Sequence, residues 1–131
     1  MTETNSVFSV LEVDHIALYV RALDASLHFY RDILGLPILP RPAFGFEGAW
    51  LALGSRQIHL IVADPARLST GHAFHLALQV QDAQAAHAAL RAKGVSVLKD
   101  PLLRPDGTMQ FFLRDPDGNL IEMLSFPPAE L

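Results

Sequence analysis

Two tandem βαβββ modules, an α+β fold, are the architecture this sequence predicts, and three observations carry it. The segment HIALYV at 15–20 is echoed by HLALQV at 75–80, identical at four of six positions. Each copy runs into an alanine- or leucine-rich stretch closed by a glycine, and those glycines, Gly35 and Gly94, stand 59 residues apart. Each half then offers three more apolar segments, so one helix must serve four strands and leaves one sheet face bare. Two modules remove that exposure by curving around a shared cavity. The result is a mostly antiparallel eight-stranded sheet with the helices outside.

Taken in order, HIALYV is the first strand. Leu23, Leu27, Tyr30 and Leu34 then recur at helical spacing, Gly35 supplies the left-handed C-terminal position and Pro37 blocks continuation. LPIL at 36–39 is a short strand, and a Pro/Gly-rich loop at 40–48 leads to AWLALG, which turns at Gly54 and Ser55 into QIHLIVA. ADPARLSTG at 63–71 links the halves. In the second half HLALQV is followed by a helix with Asp82 as N-cap, Ala86 and Leu90 as its buried stripe and Gly94 as its end. VSVL at 95–98, a loop at 99–108, MQFFLR and LIEMLSF complete the set, with DPDG at 115–118 as the turn between the last two. The chain therefore reads as one domain over 1–131, with modules at 11–63 and 72–126.

Composition narrows the function. Half of the 131 residues are apolar and only 18% are charged, enough to bury a core and too apolar for disorder. A net charge of −4 and no Lys/Arg cluster argue against a nucleic-acid partner. With no cysteine, disulfides, thiolate nucleophiles and Cys-based metal sites are excluded, so any metal must be held by His and carboxylates. The start MTETNSVFSV carries no signal-peptide pattern, and no apolar run approaches the roughly 20 residues that span a bilayer. A soluble cytoplasmic protein, with no membrane partner, is the expectation.

Strand parity places the polar residues. Ile16, Leu18 and Val20 form the helix-facing set, leaving His15, Ala17 and Tyr19 toward the cavity; the second copy sends Leu76, Leu78 and Val80 outward and His75, Ala77 and Gln79 inward. In QIHLIV, His59 is opposed to Ile58, Leu60 and Val62, and Glu122 holds the corresponding place beside Ile121 and Met123. Two repeat-equivalent pairs result, His15 with His75 and His59 with Glu122. An unpaired charge in such apolar strands costs roughly 3–5 kcal/mol when its partner is lost, and one divalent cation is the simplest partner for all four.

These residues carry a resemblance. DHIALYV, SLHFYRDILGL, QIHLIV, FHLALQV and RDPDGNLIEML together resemble the vicinal oxygen chelate superfamily over about residues 11–126, with DPDGNLIE the most specific stretch. Its members include glyoxalase I, methylmalonyl-CoA epimerase, fosfomycin-resistance thiol transferases, extradiol dioxygenases and bleomycin-binding proteins. The resemblance implies metal ligation by His15, His59, His75 and Glu122, with His59 the weakest of the four because glyoxalase I holds Glu there and others Gln or a non-ligand.

Three imidazoles and one carboxylate suit one Zn, Ni, Co, Mn or Fe ion per site and not Ca²⁺ or Mg²⁺. Such an ion leaves two adjacent positions for neighbouring oxygens of a small-molecule substrate. By resemblance to glyoxalase I, the reading is a metal-dependent lyase or isomerase that stabilises an enediolate, with Glu122 as the base. One carboxylate fewer than glyoxalase I leaves single-base isomerisation intact and makes two-base epimerisation doubtful. Two other classes remain. His15, His75 and Glu122 alone form the set of an Fe(II) extradiol-type dioxygenase. A fosfomycin-type thiol transferase, or a non-catalytic drug- or metabolite-binding protein, is the other.

Tyr19, Trp50 and Phe112 are candidates to line the cavity, although strand aromatics are more commonly plain core. Arg41 and Arg104, in equivalent loops, could clamp an anionic substrate, although surface solubility accounts for either alone. His28 and His87 read as solvated helix residues, Asp115 and Asp117 as turn residues, and His72 as part of the linker. Because each half carries two ligands and the linker is short, a twofold homodimer is expected, each site built from the first module of one chain and the second of its mate.

Overall fold

The computed structural model describes residues 11–64, 66 and 75–127. Eight strands appear among them, in two four-stranded sheets. β1 (His15–Val20), β2 (Ile38–Leu39), β3 (Gly48–Leu53) and β4 (Arg56–Val62) form the first, in the order β1-β4-β3-β2. β5 (Leu76–Gln79), β6 (Leu102–Leu103), β7 (Met109–Arg114) and β8 (Leu120–Ser125) repeat that order as β5-β8-β7-β6. In each sheet the first and last strands pair in parallel and the other pairs are antiparallel. The two sheets are thus copies in topology as well as in sequence.

The alternation read from the sequence holds in β1 and β5. Leu18, Val20, Leu76 and Leu78 are buried, while His15, Ala17, Tyr19, Ala77 and Gln79 are exposed. The buried faces of both sheets join a single core with Phe29, Tyr30 and Leu90 from the helices. Burial of each such aliphatic or aromatic side chain contributes about 1.5–3 kcal/mol.

The first helix departs from a regular α-helix. α1 (Leu23–Leu27) passes into a wider π-helical segment, α2 (His28–Ile33), in which the Leu34 amide donates to the Phe29 carbonyl at 2.9 Å. The wider turn rotates the apolar stripe, so Phe29 and Ser26 are buried beside Tyr30 while Leu23, Leu27 and Leu34 are only partly covered. Gly35 ends it with a φ of 79°, the conformation its place predicted. α3 (Ala83–Ala92) is an ordinary α-helix whose N-cap, Asp82, accepts from the Ala85 amide at 3.1 Å.

Two expectations need correction. VSVL does not form a strand: Val97 makes a single bridge to Leu113, and the pairing strand is Leu102–Leu103 inside the expected loop. Pro101 has no N–H to give a ladder, so pairing resumes only beyond it. His87 is not solvated; it is buried on α3, its ring edge-on to Phe111 with centroids 5.1 Å apart. The period Ala83, Ala86/His87, Leu90 puts it on the core face.

Asp115 and Asp117 are turn residues and more. Asp115 accepts from the amides of Asp117 and Asn119 within the turn and also from the Tyr30 hydroxyl at 2.8 Å. Asp117 accepts from the Arg21 amide at 3.0 Å and pairs with its guanidinium. The last turn of the second half is therefore bolted to the first helix of the first half. His72 and most of the expected linker, including residues 67–71, lie outside the described residues. Among the described residues no helix is long and apolar enough to cross a membrane.

Candidate metal centre

On the first sheet the imidazoles of His15 and His59 stack face to face, with ring centroids 3.9 Å apart. Residues 15, 57 and 59 share one face because β1 and β4 pair in parallel with His15 opposite Gln57 and Ala17 opposite His59. Trp50, directly across from His59 on β3, stacks on the other side of that imidazole at 4.2 Å. His59 is therefore sandwiched. Its Nε2 lies 2.7 Å from Oε1 of Gln57, a partner that the sequence reading passed over and that strand parity could have found. With that Nε2–H donated to the amide oxygen, Nδ1 carries the lone pair. Burial first, then the His15 and Arg41 charges, lowers the His59 pKa and favours neutral imidazole. His15 is half exposed and its Nδ1 lies 2.8 Å from the carboxylate of Asp14.

The second sheet carries the other pair. His75 Nε2 and Glu122 Oε1 are 3.1 Å apart, and the guanidinium of Arg104 approaches the other carboxylate oxygen at 4.0 Å. Arg104 is at the same time paired with Asp106 at 2.8 Å. Of the two adjacent phenylalanines, Phe111 is in the core, whereas Phe112 pairs across from Glu122 and sets its ring edge toward His75 at 6.1 Å. A cavity of about 400 Å³ opens here, lined by His75, Leu98, Lys99, Leu102, Gln110 and Phe112 among others. Tyr19 is exposed on the same sheet face as His15, and Arg41 lies over the loop at 44–46.

The structure thus pairs His15 with His59 and His75 with Glu122, and it does not bring the two pairs together. Among the described residues no three of His, Asp and Glu are grouped so as to hold an ion. Both pairs sit on the sheet faces turned away from the common core, where His15, Ala17, Tyr19, His75, Ala77 and Gln79 are exposed. The donors suit a borderline transition ion: imidazole nitrogens and one carboxylate.

Comparison with known proteins agrees with this fold. Residues 12–123 match the family model described as the Glyoxalase/Bleomycin resistance protein/Dioxygenase superfamily. The chain is 31% identical to Glyoxylase I 4 of Arabidopsis thaliana over 120 residues, which is 85% of this chain and 68% of that protein. It is 31% identical to the lactoylglutathione lyase of Neisseria meningitidis serogroup A over 120 residues, 84% of this chain and 87% of the relative. Among solved structures, that of a glyoxalase family protein from Bacillus anthracis superposes with a TM-score of 0.81 at 24% identity, covering 93% of this chain and all of the other.

Proposed function

The chain belongs to the Glyoxalase/Bleomycin resistance protein/Dioxygenase superfamily, and on that premise we propose that it is a glyoxalase-type, divalent-metal-dependent lyase or isomerase acting on a small molecule through two neighbouring oxygens. His15, His59, His75 and Glu122 would hold one Zn, Ni, Co, Mn or Fe ion. Such an ion supplies Lewis acidity to the charge that develops on the two substrate oxygens. The relatives named lactoylglutathione lyase and glyoxylase I support the reaction class.

One observation carries the reading: His75 and Glu122 stand together on an otherwise apolar strand face, in the positions the repeat assigns to them. Glu122 is the general base. Its side chain is buried beside His75 and Arg104, which holds the carboxylate in one place for taking a proton from carbon and returning it to the neighbouring atom. Arg104, 4.0 Å from its other oxygen, sets a positive charge near that carboxylate. Phe112 and the apolar wall of the adjoining cavity give a substrate an apolar surface beside the carboxylate.

Because each pair lies on an outward sheet face, we assign the complete site to a cytoplasmic twofold homodimer in which His15 and His59 of one chain meet His75 and Glu122 of the other. The test is metal binding by protein purified without chelators. About one divalent transition ion per chain is expected, with a rise in melting temperature on reloading the stripped protein that is lost in His15→Ala and in Glu122→Ala. Stripped protein whose melting temperature ignores Zn²⁺, Ni²⁺, Mn²⁺ and Fe²⁺ would overturn the assignment.

A second reading rests on His59. Its Nε2 is engaged by Gln57 and its ring is clamped between His15 and Trp50, which favours a three-ligand set of His15, His75 and Glu122. That set is the one used by Fe(II) oxygenases. Dioxygen consumption with Fe(II)-loaded protein and a catechol separates the readings: the lyase predicts none.

A further inference from the structure

The face that carries His59 does not end at Trp50. An unbroken run of aromatic rings leads away from the imidazole pair: Trp50 lies 5.9 Å from Phe44, and Phe44 stacks on Phe46 at 5.3 Å with only 16° between their planes. Phe44 and Phe46 are 44% and 49% exposed, so two phenyl rings stand open to solvent. Arg41 closes the run. Its guanidinium lies over both rings, 4.8 and 5.0 Å from their centroids, and donates to the Phe46 carbonyl at 2.9 Å. Gly48 makes room for this fold-back, because a Cβ there would run into the Leu60 carbonyl oxygen and crowd the guanidinium.

Arg41 differs from the other arginines around the two half-sites. Arg21 pairs with Asp117, Arg56 with Glu12, and Arg104 with Asp106 and Glu122. Among the described residues no carboxylate pairs with Arg41, and four of its five N–H donors remain for an anion. A peptide-like ligand with several charges would find this single cation insufficient. A flat ring bearing one acidic group matches both features, the exposed phenyl rings and a guanidinium that no carboxylate pairs with.

We propose that the Trp50, Phe44, Phe46 and Arg41 run is a specificity subsite for an aryl group carrying a carboxylate, which makes the substrate of the candidate metal centre an aromatic acid. The subsite deepens the proposed function, on which its link to catalysis rests, but its residues are not metal ligands. Binding can therefore be read in metal-free protein, and metal loading is measured separately.

Trp50 is the only tryptophan in the chain, so its fluorescence reports ligands on this face without a label. Three probes separate the contributions: 3-phenylpropionate, 3-cyclohexylpropionate with the same charge and a saturated ring, and 3-phenylpropanol with the same ring and no charge. The saturated acid is the more apolar, so simple hydrophobic burial ranks it first. The aromatic run predicts the reverse, with 3-phenylpropionate favoured by about three- to tenfold.

Phe44→Leu with Phe46→Leu should erase that preference, and Phe44→Tyr should keep it. Arg41→Gln should remove the preference for the acid over the alcohol. Equal or tighter binding of the cyclohexyl acid, a ring preference that survives the double leucine variant, or no fluorescence response to any probe because a second copy covers the face would each overturn the proposal. A ring preference in protein that fails to bind metal would leave the subsite standing and refute the metal-dependent reading instead.

Discussion

His75 Nε2 and Glu122 Oε1 stand 3.1 Å apart, although 47 residues separate them in the chain, because β5 and β8 run in parallel with Ala77 opposite Glu122. The imidazole stands just ahead of one strand and the carboxylate in the middle of its sheet neighbour. Only the parallel register sets them on one face, within reach of a common ligand. The site on this sheet is therefore a product of topology as much as of residue type.

Glu122→Gln keeps the volume and removes the basicity. Turnover on a substrate that needs proton abstraction should fall by about 10²- to 10⁴-fold. Circular dichroism and melting temperature should show the fold retained. A near wild-type rate would remove Glu122 from the role of base.

His59→Ala opens the stack between His15 and Trp50. Metal affinity should weaken by about 10- to 100-fold, as when a group that supplements or orients a ligand set is lost, with partial activity remaining. Calorimetric titration with Zn²⁺ measures the change. An unchanged affinity would place His59 outside the ligand set.

The hydroxyl of Tyr30 is a stability element. Tyr30→Phe removes its bond to Asp115 and should cost about 1–3 kcal/mol in urea denaturation, because the carboxylate stays buried with one partner fewer. Burial and the adjoining Asp115 raise the tyrosine's pKa above its ordinary 10.0. The folded state therefore keeps a proton that the unfolded chain releases, and this contribution is complete below pH 10 and is lost as pH rises toward the folded value. Wild-type protein should lose stability above about pH 10 in a component that Tyr30→Phe lacks.

His87 makes the opposite prediction. Its buried Nε2 has no hydrogen-bond partner among the described residues. Replacing it with an apolar residue of similar size removes a desolvated polar atom, so His87→Leu should be neutral or stabilising by up to about 1 kcal/mol. His87→Ala should destabilise by leaving a cavity against Phe111. Thermal melts of the two variants decide it.

How much of this was legible in the sequence differs by residue. The repeat and the two-residue period gave β1, β4, β7 and β8 nearly to the residue and set His15, His59, His75 and Glu122 opposite the core-facing residues, but those faces look outward and do not enclose the expected shared cavity. Asp82 and the two helix-ending glycines were readable because capping is local chemistry. The π-helical turn at His28–Ile33 was not, since its cause is the fit of Phe29 and Tyr30 into the core rather than any propensity. VSVL misled because a β-branched run looks like a strand whether or not a partner ladder continues past Pro101. The partners of Asp115 and Asp117 lie some 90 residues away, beyond any local signal. The sandwich of His59 between His15 and Trp50 needed the register of three strands at once.

Assembly of a working site from His15 and His59 of one chain and His75 and Glu122 of another is the step on which the proposed chemistry turns. It is tested most directly by co-expressing His15→Ala and Glu122→Ala chains under different tags and purifying the mixed dimer. Each variant alone has every site broken, whereas the mixed dimer pairs one intact first sheet with one intact second sheet. The mixed dimer should recover one metal ion and up to half of the wild-type activity per dimer. Mixed dimers that form in full yet bind no metal and remain inactive would show that both halves of each site belong to the same chain.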